Sequence, residues 1–299
     1  MKIYYPSYYK DFKCIADRCR HSCCVGWEIG VDSATLDKYA ALPVGERDDI
    51  ISHIDAEGCV ILGEGERCPF LRQDGLCRLI AERGEEYISR ICREHPRFYH
   101  RVGNRVECGI GLSCEEACRV VLSSDFGEFY SLERESAELA DETDYDTLTH
   151  RDAIYTLLSD GGSTYRQKLE RIKDRYGISD APLCAESITD VLSDLEYLDE
   201  THREIISVGR TDERDGLHTY YERFLAYLMF RHLTVAESYD GLRARLGFCL
   251  LLLSILENAM ADERPDFDTV CHFARIISEE IEYSEDNTAV LIFELECLI

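Results

Sequence analysis

Positive charge is scarce in this sequence of 299 residues. Its 33 lysine and arginine residues stand against 59 aspartate and glutamate residues, which gives a formal net charge of -26. A chain this acidic repels the phosphate backbone of a nucleic acid unless its basic residues form a local patch. We therefore expect no nucleic-acid partner, whereas a protein partner that presents lysine side chains is electrostatically compatible. A surface that simply stays soluble is the plainer interpretation of the same acidity.

Long hydrophobic runs are also lacking. The longest one, Leu246–Leu256, is shorter than the roughly 20 apolar residues that a membrane-spanning helix needs, and we interpret it as a buried helix. The first residues, Met1–Pro6, lack the charged segment and apolar stretch of a secretory signal. The sequence thus predicts a cytoplasmic protein that does not enter a membrane.

Several familiar site patterns are missing as well. There is neither the pair of C-x2-C knuckles of a zinc ribbon nor a C-x3-C-x2-C loop of the radical-enzyme type. The segment Gly63-Glu64-Gly65 lacks the third glycine and the following helix of a dinucleotide-binding turn. Repeated strand–helix units of a doubly wound fold are not apparent either. A nucleotide-like donor therefore has no recognisable site in the sequence.

Cysteine, by contrast, is abundant and unevenly placed. The chain has 15 cysteines, of which eleven lie at or before Cys118. In a reducing cytoplasm these thiols do not form disulfides, and soft sulfur ligands favour zinc or iron–sulfur over calcium or magnesium. Their concentration in one region predicts a shared metal-binding role. The eleven are Cys14, Cys19, Cys23, Cys24, Cys59, Cys68, Cys77, Cys92, Cys108, Cys114 and Cys118.

The adjacent pair in the first group, Cys14-x4-Cys19-x3-Cys23-Cys24, poses a geometric problem. Neighbouring side chains of an extended segment point apart, so both members of the pair reach one metal only within a turn or loop. The alternative is that one of them is a ligand and the other packs.

Two further groups follow, Cys68-x8-Cys77-x14-Cys92 and Cys108-x5-Cys114-x3-Cys118. A capping box formed by Ser113 and Glu116 predicts a helix that starts at about Cys114, where the helix dipole favours a thiolate. Cys118 lies one turn later on the same face and is either a ligand or a core residue.

Turn, capping and periodicity patterns together predict an α+β fold that is mainly α. We expect a cysteine-rich domain with short strands and helices over 1–125, packed on a mainly helical domain over 126–299 in which no strand is predicted. Acidic stretches at 133–146 and 279–286 are expected in solvated faces or loops. Helices are predicted at 32–42, 85–93, 114–122, 165–176, 188–197, 221–228, 246–260 and 269–281, and strands at 58–62, 98–102 and 105–108.

Four motifs accompany the first cysteines: CPFL at 68–71, GLCRLI at 75–80, SRICREHPR at 89–97 and GLSCEEACRVVL at 111–122. With them the sequence resembles the bacterial flagellin lysine-N-methylase family and, more distantly, small proteins with a zinc- or iron-chelating cysteine domain. The later YYERFLAYLMFRHL at 220–233 resembles the helical half of that family. The resemblance spans most of the chain, and it is specific in the first 125 residues and loose afterwards.

The resemblance implies an enzyme that transfers methyl groups from S-adenosylmethionine to lysine side chains of flagellin, and that contains a [4Fe–4S] cluster. It also implies a ligand set of more thiols than one cluster needs, whereas Cys59, Cys108 and Cys118 fit the family pattern less well. The implied ligands come from Cys14, Cys19, Cys23, Cys24, Cys68, Cys77, Cys92 and Cys114.

Other roles are less defined by the sequence. Arg93 and Arg97 flank Cys92 and are candidates for binding the carboxylate of the donor, with surface salt bridges as the alternative. Tyr220 and Tyr221 beside Glu222 are candidates for a lysine channel, although core packing in a helix is the favoured explanation for each tyrosine. No catalytic base is identified. A non-catalytic zinc- or iron-binding module, structural or sensing, is the alternative function, and an electron-carrying protein is a third.

Overall fold

The computed structural model describes residues 2–103, 105–127, 129–133, 146–211 and 214–299. The predicted acidic stretch at 133–146 lies outside the described residues except for its two ends, and so does Asn104 in the turn of the predicted hairpin.

The four described strands form a single sheet in the order β2-β3-β1-β4, made of β1 (Lys2–Pro6), β2 (Arg97–Val102), β3 (Arg105–Ile110) and β4 (Phe129–Glu133). The predicted hairpin is confirmed as β2 and β3. β1 pairs in parallel with β3 and antiparallel with β4. The prediction of no strand after residue 125 was wrong, because β4 is a short segment without clear alternation whose partner, β1, comes from the other end of the sequence.

The chain divides into two compact units. The cysteine unit comprises Lys13–Phe98 and Cys114–Glu116, and the helical unit comprises the described residues of Met1–Phe12, Tyr99–Ser113 and Ala117–Ile299. The first 125 residues therefore contribute to both units.

The cysteine unit consists of short elements around a small apolar core. Asp32 caps the first helix, since its Oδ1 accepts a hydrogen bond from the Thr35 amide at 3.1 Å. The core is made of Ile29, Tyr39, Leu42, Ile50, Val60, Cys68, Phe70, Leu79 and Ile88. The helices are α1 (Ser33–Ala40), α2 (Val44–Ile51), α3 (Arg78–Arg83) and α4 (Arg90–Glu94), with 3-10 turns at Ala16–Arg18, Glu64–Glu66 and Glu85–Tyr87.

Two predictions for this unit were wrong. The segment predicted as a strand at 58–62 forms only isolated bridges, Cys59 with Gly30 and Val60 with Ile54, because no neighbouring segment runs alongside it for longer. The single helix predicted at 85–93 is interrupted. Ser89 adopts an extended conformation there and caps α4 as a new helix.

The helical unit accounts for the mainly α character. Its helices are α5 (Glu115–Ser123), which begins in the cysteine unit, α6 (Thr147–Leu158), α7 (Tyr165–Tyr176), α8 (Asp180–Leu183), α9 (Glu186–Asp194), α10 (His218–His232), α11 (Tyr239–Met260), α12 (Phe267–Ile277) and α13 (Glu285–Leu298). Short 3-10 turns lie at Ser7–Lys10, Glu200–Glu204, Asp215–Leu217 and Leu233–Val235, and a π-helical turn at Ser278–Glu282 extends α12. The predicted α+β, mainly α fold class is confirmed.

The helix α11 lies at the centre of this unit and packs against α10, α12 and α13. Its Leu246–Leu256 segment is buried apart from one half-buried serine, Ser254, which confirms the predicted buried helix. A Cβ at Gly247 would lie 2.4 Å from Ile299 Cδ1, so glycine is what permits this close approach. No helix among the described residues combines the length and apolar character that crossing a bilayer demands.

Candidate metal centre

Four of the predicted ligands gather at the apolar core of the cysteine unit. Cys68 is itself a core residue, and Cys24, Cys77 and Cys92 are half-buried and pack against that core. We call these four the inner thiols. They come from three segments of the chain that are far apart in sequence.

Backbone hydrogen bonds bring those segments together. The Cys68 amide donates to the Cys24 carbonyl oxygen at 2.9 Å, next to a bridge between Val25 and Arg67. A second bridge joins Leu71 to Cys77 across the predicted turn, where Gly75 has a φ of 81°. A positive φ of this size suits glycine, so this residue lets the chain return Cys77 to the core.

Cys92 reaches the same place from the first turn of α4. Its amide donates to Ser89 Oγ at 3.4 Å, and the Ser89 hydroxyl lies 3.1 Å from Cys92 Sγ. The cap that begins this short helix therefore also orients the thiol. A side chain in the first turn is favoured as an anion by the helix dipole.

The inner thiols influence one another electrostatically. Burial raises the pKa of Cys68 to about 11, a hydrogen bond with the Phe70 backbone lowers it, and the Cys24, Cys77 and Cys92 thiols add to the rise. Burial is also the main reason that the pKa values of Cys77 and Cys92 are raised. A bound cation would offset this cost, because it stabilises the deprotonated ligands.

The other four predicted ligands, Cys14, Cys19, Cys23 and Cys114, lie closer to the surface, and we call them the outer thiols. Cys14 and Cys23 are exposed, and Cys19 and Cys114 are half-buried. None of them belongs to the apolar core cluster.

Glu115 ties the outer loop to the segment that carries Cys114. It accepts a hydrogen bond from the Arg20 amide at 2.8 Å and one from Arg20 Nε at 3.0 Å. The Cys19 thiol lies 3.8 Å from Glu115 Oε2. These contacts place Cys19 beside the residue that follows Cys114.

The adjacent pair connects the two groups. A hydrogen bond from the Cys23 thiol lowers the pKa of Cys24, while the same bond and the nearby Cys24, Cys114 and Cys14 thiols raise the pKa of Cys23. Cys24 packs on the core with the inner thiols, whereas Cys23 is exposed and interacts with Cys14 and Cys114. Because the two thiols are hydrogen-bonded to each other, the pair links the inner and the outer thiols.

The remaining N-terminal cysteines stand apart from both groups. Cys59 is half-buried, and its thiol lies 3.7 Å from a carboxylate oxygen of Glu28. Cys108 and Cys118 are buried in the helical unit, where the Cys118 thiol donates to the Cys271 carbonyl oxygen at 3.4 Å. The structure therefore favours the interpretation of Cys118 as a core residue over its interpretation as a metal ligand.

The two predicted donor-binding arginines lie in the cysteine unit. Arg93 is exposed on α4, and its Nη1 donates to the carbonyl oxygens of Ile88 at 3.0 Å and Glu86 at 3.4 Å. Arg97 is half-buried at the start of β2. Donor binding by these two arginines stays a prediction.

The candidate lysine channel is not assembled as one group. Tyr221 is fully buried, whereas the ring of Tyr220 packs 5.1 Å from that of Phe267. Glu222 is occupied by Lys168, whose Nζ donates to it at 2.8 Å. The structure thus favours the core-packing interpretation for Tyr221.

A buried network that the sequence analysis missed lies elsewhere in the helical unit. Glu282, in the π-helical turn, contacts His232 Nε2 at 2.7 Å, and the Tyr227 hydroxyl donates to it at 3.3 Å. Arg231 donates to that hydroxyl at 2.9 Å. The i,i+4 spacing of Tyr227 and Arg231 in the family-like motif at 220–233 is the signal that could have indicated part of this network.

The prediction that 279–286 is a solvated acidic stretch was therefore wrong for two of its acidic residues. Glu280 and Glu282 are buried, at 1% and 6% exposure. Each is neutralised by basic or amide donors, which is what allows a carboxylate to be buried. For Glu280 the donors include the Leu198 amide at 2.7 Å and His202 Nδ1 at 2.6 Å.

Glu280 also belongs to a group whose donor atoms lie within 4.8 Å of one another, together with His202 and Glu279. Its carboxylate is already used by the donors described above, and Glu279 is paired with Arg275. We interpret this group as an anchor for the preceding loop.

The inner thiols match the chemistry of a thiolate-bound metal. Sets of four cysteines hold both iron–sulfur clusters and structural zinc, and the surrounding apolar side chains limit the access of water. No three of the described thiol sulfurs lie within 4.8 Å of one another, whereas the sulfurs around one tetrahedral zinc are about 4 Å apart. The residues present therefore fit the larger iron–sulfur cluster better than a single zinc ion.

Comparison with known proteins gave three similar sequences. The lysine-N-methylases of Salmonella choleraesuis (strain SC-B67) and Salmonella typhimurium (strain LT2) are each 30% identical over 131 residues, which cover 40% of this chain and 32% of each relative. The flagellar biosynthetic protein FliU of Salmonella muenchen is 30% identical over 148 residues, covering 44% of this chain and 85% of FliU. The chain thus matches about a third of the length of the methylases. No family model and no solved structure matches it.

Proposed function

The chain belongs to the family of the lysine-N-methylases and FliU, and we propose that it is a methyltransferase that transfers methyl groups from S-adenosylmethionine to lysine side chains of flagellin. We propose further that it acts in the cytoplasm and that its inner thiols hold a [4Fe–4S] cluster. The observation that carries the proposal is the convergence of Cys24, Cys68, Cys77 and Cys92 on one apolar core.

Methyl transfer needs a neutral amine in line with the sulfonium. The bond from the methyl carbon to sulfur breaks as the bond to nitrogen forms, the thioether leaves, and nitrogen releases a proton. Catalysis is then mainly orientation, desolvation and proton removal. The acidity of the chain suits this substrate, because a net charge of -26 attracts lysine-bearing proteins.

The proposal gives the chain's own residues two tasks. The four inner thiols would hold the cluster, which when bound would fix the surrounding segments in place beside the donor. Arg93, next to the ligand Cys92, and Arg97 would bind the donor carboxylate, a geometry that a planar guanidinium matches well.

A non-catalytic zinc- or iron-binding module is the alternative function. One observation favours it: the helices α1 to α4 have eight residues or fewer, so the cysteine unit depends on more than helix packing for its stability. A structural metal would supply that stability without any reaction.

The test is methyl transfer by protein purified without oxygen and loaded with iron and sulfide. The protein is incubated with flagellin and with donor carrying a deuterated methyl group, and flagellin peptides are analysed by mass spectrometry. We expect the wild type to label flagellin lysines. Cys68→Ser should lose both the iron and the labelling activity, whereas the matched control Cys59→Ser should keep both. Fully loaded protein that leaves flagellin unlabelled would refute the methyltransferase and favour the metal module.

A further inference from the structure

The helix α13 is apolar on two sides. Its inner side carries Leu291 and Leu295, which are fully buried, and the helix packs against α11 and α9. Its outer side carries Val290, Phe293 and Cys297, which are all exposed. Helix residues at i, i+3 and i+7 lie on one side, so these three form a line that we call the outer stripe. A surface helix ordinarily has its apolar face only toward the core.

The outer stripe is centred on Phe293, the most exposed large apolar side chain among the described residues. Phe293 is 65% exposed and Val290 is 42% exposed. Single exposed apolar side chains are normal on a protein surface. Three that are aligned on one helix face differ from that background, because another helix can pack its own apolar ridge along the line. The spacing of the stripe therefore suits an α-helix as its occupant.

The charge around the stripe has one sign. The helix α13, which the structure describes over its whole length, has four acidic residues and no lysine, arginine or histidine. Its neighbour α9, also described throughout, has three acidic residues and likewise no basic ones. The two helices thus present a negative potential to a partner. Their exposed acidic residues are Glu186, Asp190, Asp194, Glu285, Asp286 and Glu296.

We propose that the outer stripe docks the protein substrate, and that it binds an amphipathic helix of that substrate whose apolar side is flanked by lysine residues. Apolar contact along the stripe provides the affinity, and the acidic residues attract the basic partner and select against acidic ones. This inference rests on the proposed function, since it gives the same lysine-bearing substrate a place to dock. The stripe takes no part in methyl transfer itself.

The charge also decides against two other occupants. A second copy of this chain would bring the same acidic helices to the surface, and like charges repel across an interface. A membrane surface that carries anionic lipids is repelled for the same reason. A helix flanked by lysine residues replaces this repulsion with attraction.

The test measures binding of flagellin to metal-loaded protein by biolayer interferometry at low salt, with circular dichroism as a check on folding. Phe293→Glu places a charge in the middle of the outer stripe and should weaken binding by about tenfold or more. The matched control Val44→Glu changes an apolar residue of similar exposure, 63%, in the cysteine unit and should bind like the wild type.

A second pair of measurements tests the charge. Asp190→Lys should weaken flagellin binding about threefold, and raising the salt concentration should weaken binding by the wild type, because both reduce the attraction. The lysine in this variant lies four residues from both Glu186 and Asp194, a spacing that supports the helix, so the change should leave folding intact.

The outcomes separate docking from the proposed activity. Phe293→Glu should raise the KM for flagellin rather than lower kcat. Wild type that does not bind flagellin, or binding that is equal in the wild type and Phe293→Glu, would overturn the docking proposal whether or not methyl groups are transferred. A wild-type dimer that Phe293→Glu dissociates would overturn it as well. Binding that depends on Phe293 in a protein without methyl transfer would support the docking surface and refute the proposed activity.

Discussion

Glu107 offers the sharpest prediction about stability. Its carboxylate is fully buried and accepts hydrogen bonds from Arg151 Nη1 at 2.6 Å and Nη2 at 2.8 Å, with Arg105 and His100 also in contact. Burial alone would raise the pKa of this group, but the bonds to His100 and Arg151 and the arginine charges lower it to about 2. The difference from its ordinary value of 4.5 corresponds to about 3 kcal/mol of folding free energy.

Because the folded pKa is the lower one, this stabilisation is fully present above about pH 4.5 and is lost as the pH falls toward about 2. Glu107→Gln keeps the size of the side chain and removes its charge, which leaves the Arg151 cation buried without a carboxylate. We expect the variant to lose about 3 kcal/mol of unfolding free energy at pH 7, and this loss should shrink below about pH 4.5.

The assay is unfolding by urea in reducing buffer, at a series of pH values, for the wild type and the variant. Asp262→Asn is the matched control, since it removes an exposed ion pair with Arg210 and should change stability by less than about 1 kcal/mol. A Glu107→Gln protein within about 0.5 kcal/mol of the wild type at pH 7 would refute the reasoning, as would a difference that does not depend on pH.

Three further predictions concern packing, the donor and the metal. Gly111→Ala should lower the unfolding free energy by about 1–3 kcal/mol in thermal or urea unfolding, because a Cβ there would lie 1.9 Å from the Tyr283 hydroxyl oxygen. Arg93→Ala should weaken donor binding in calorimetry by about tenfold with unchanged iron content, while unchanged affinity would remove Arg93 from the donor site. Chelation of the metal without oxygen should lower the melting temperature of the cysteine unit and leave the helical circular dichroism of α10 to α12. An unchanged melting profile would contradict a structural contribution of the metal.

Much of the fold could be predicted because its signals are local. The Asp32 cap, the hairpin around Gly103 and the helix at 165–176 each depend on residues close in sequence. In the last case Thr164 and Gln167 form a capping box and Gly177 ends the helix in the left-handed conformation. The strand β4 escaped prediction because its stability comes from pairing with β1, more than 100 residues away.

Prediction of the candidate site was likewise limited by contacts between residues far apart in sequence. Cysteine density identified the thiols, but sequence spacing placed Cys114 and Cys118 on one helix face and could not show that they belong to different units. Which thiols reach the apolar core depends on long-range contacts, such as the backbone hydrogen bond between Cys68 and Cys24. Glu282 looked like part of a solvated stretch because its partner His232 lies 50 residues earlier.

The central claim is that the clustered cysteines are ligands of a metal centre in a member of the lysine-N-methylase family. X-ray absorption at the iron and zinc edges of protein purified without oxygen tests it most directly, because the method reports which atoms surround each metal. The account predicts a first shell of sulfur alone, with iron–iron scattering from a cluster on the inner thiols. In Cys68→Ser the iron–iron scattering should be lost. A shell of oxygen and nitrogen, or a sulfur shell that survives in that variant unchanged, would contradict it.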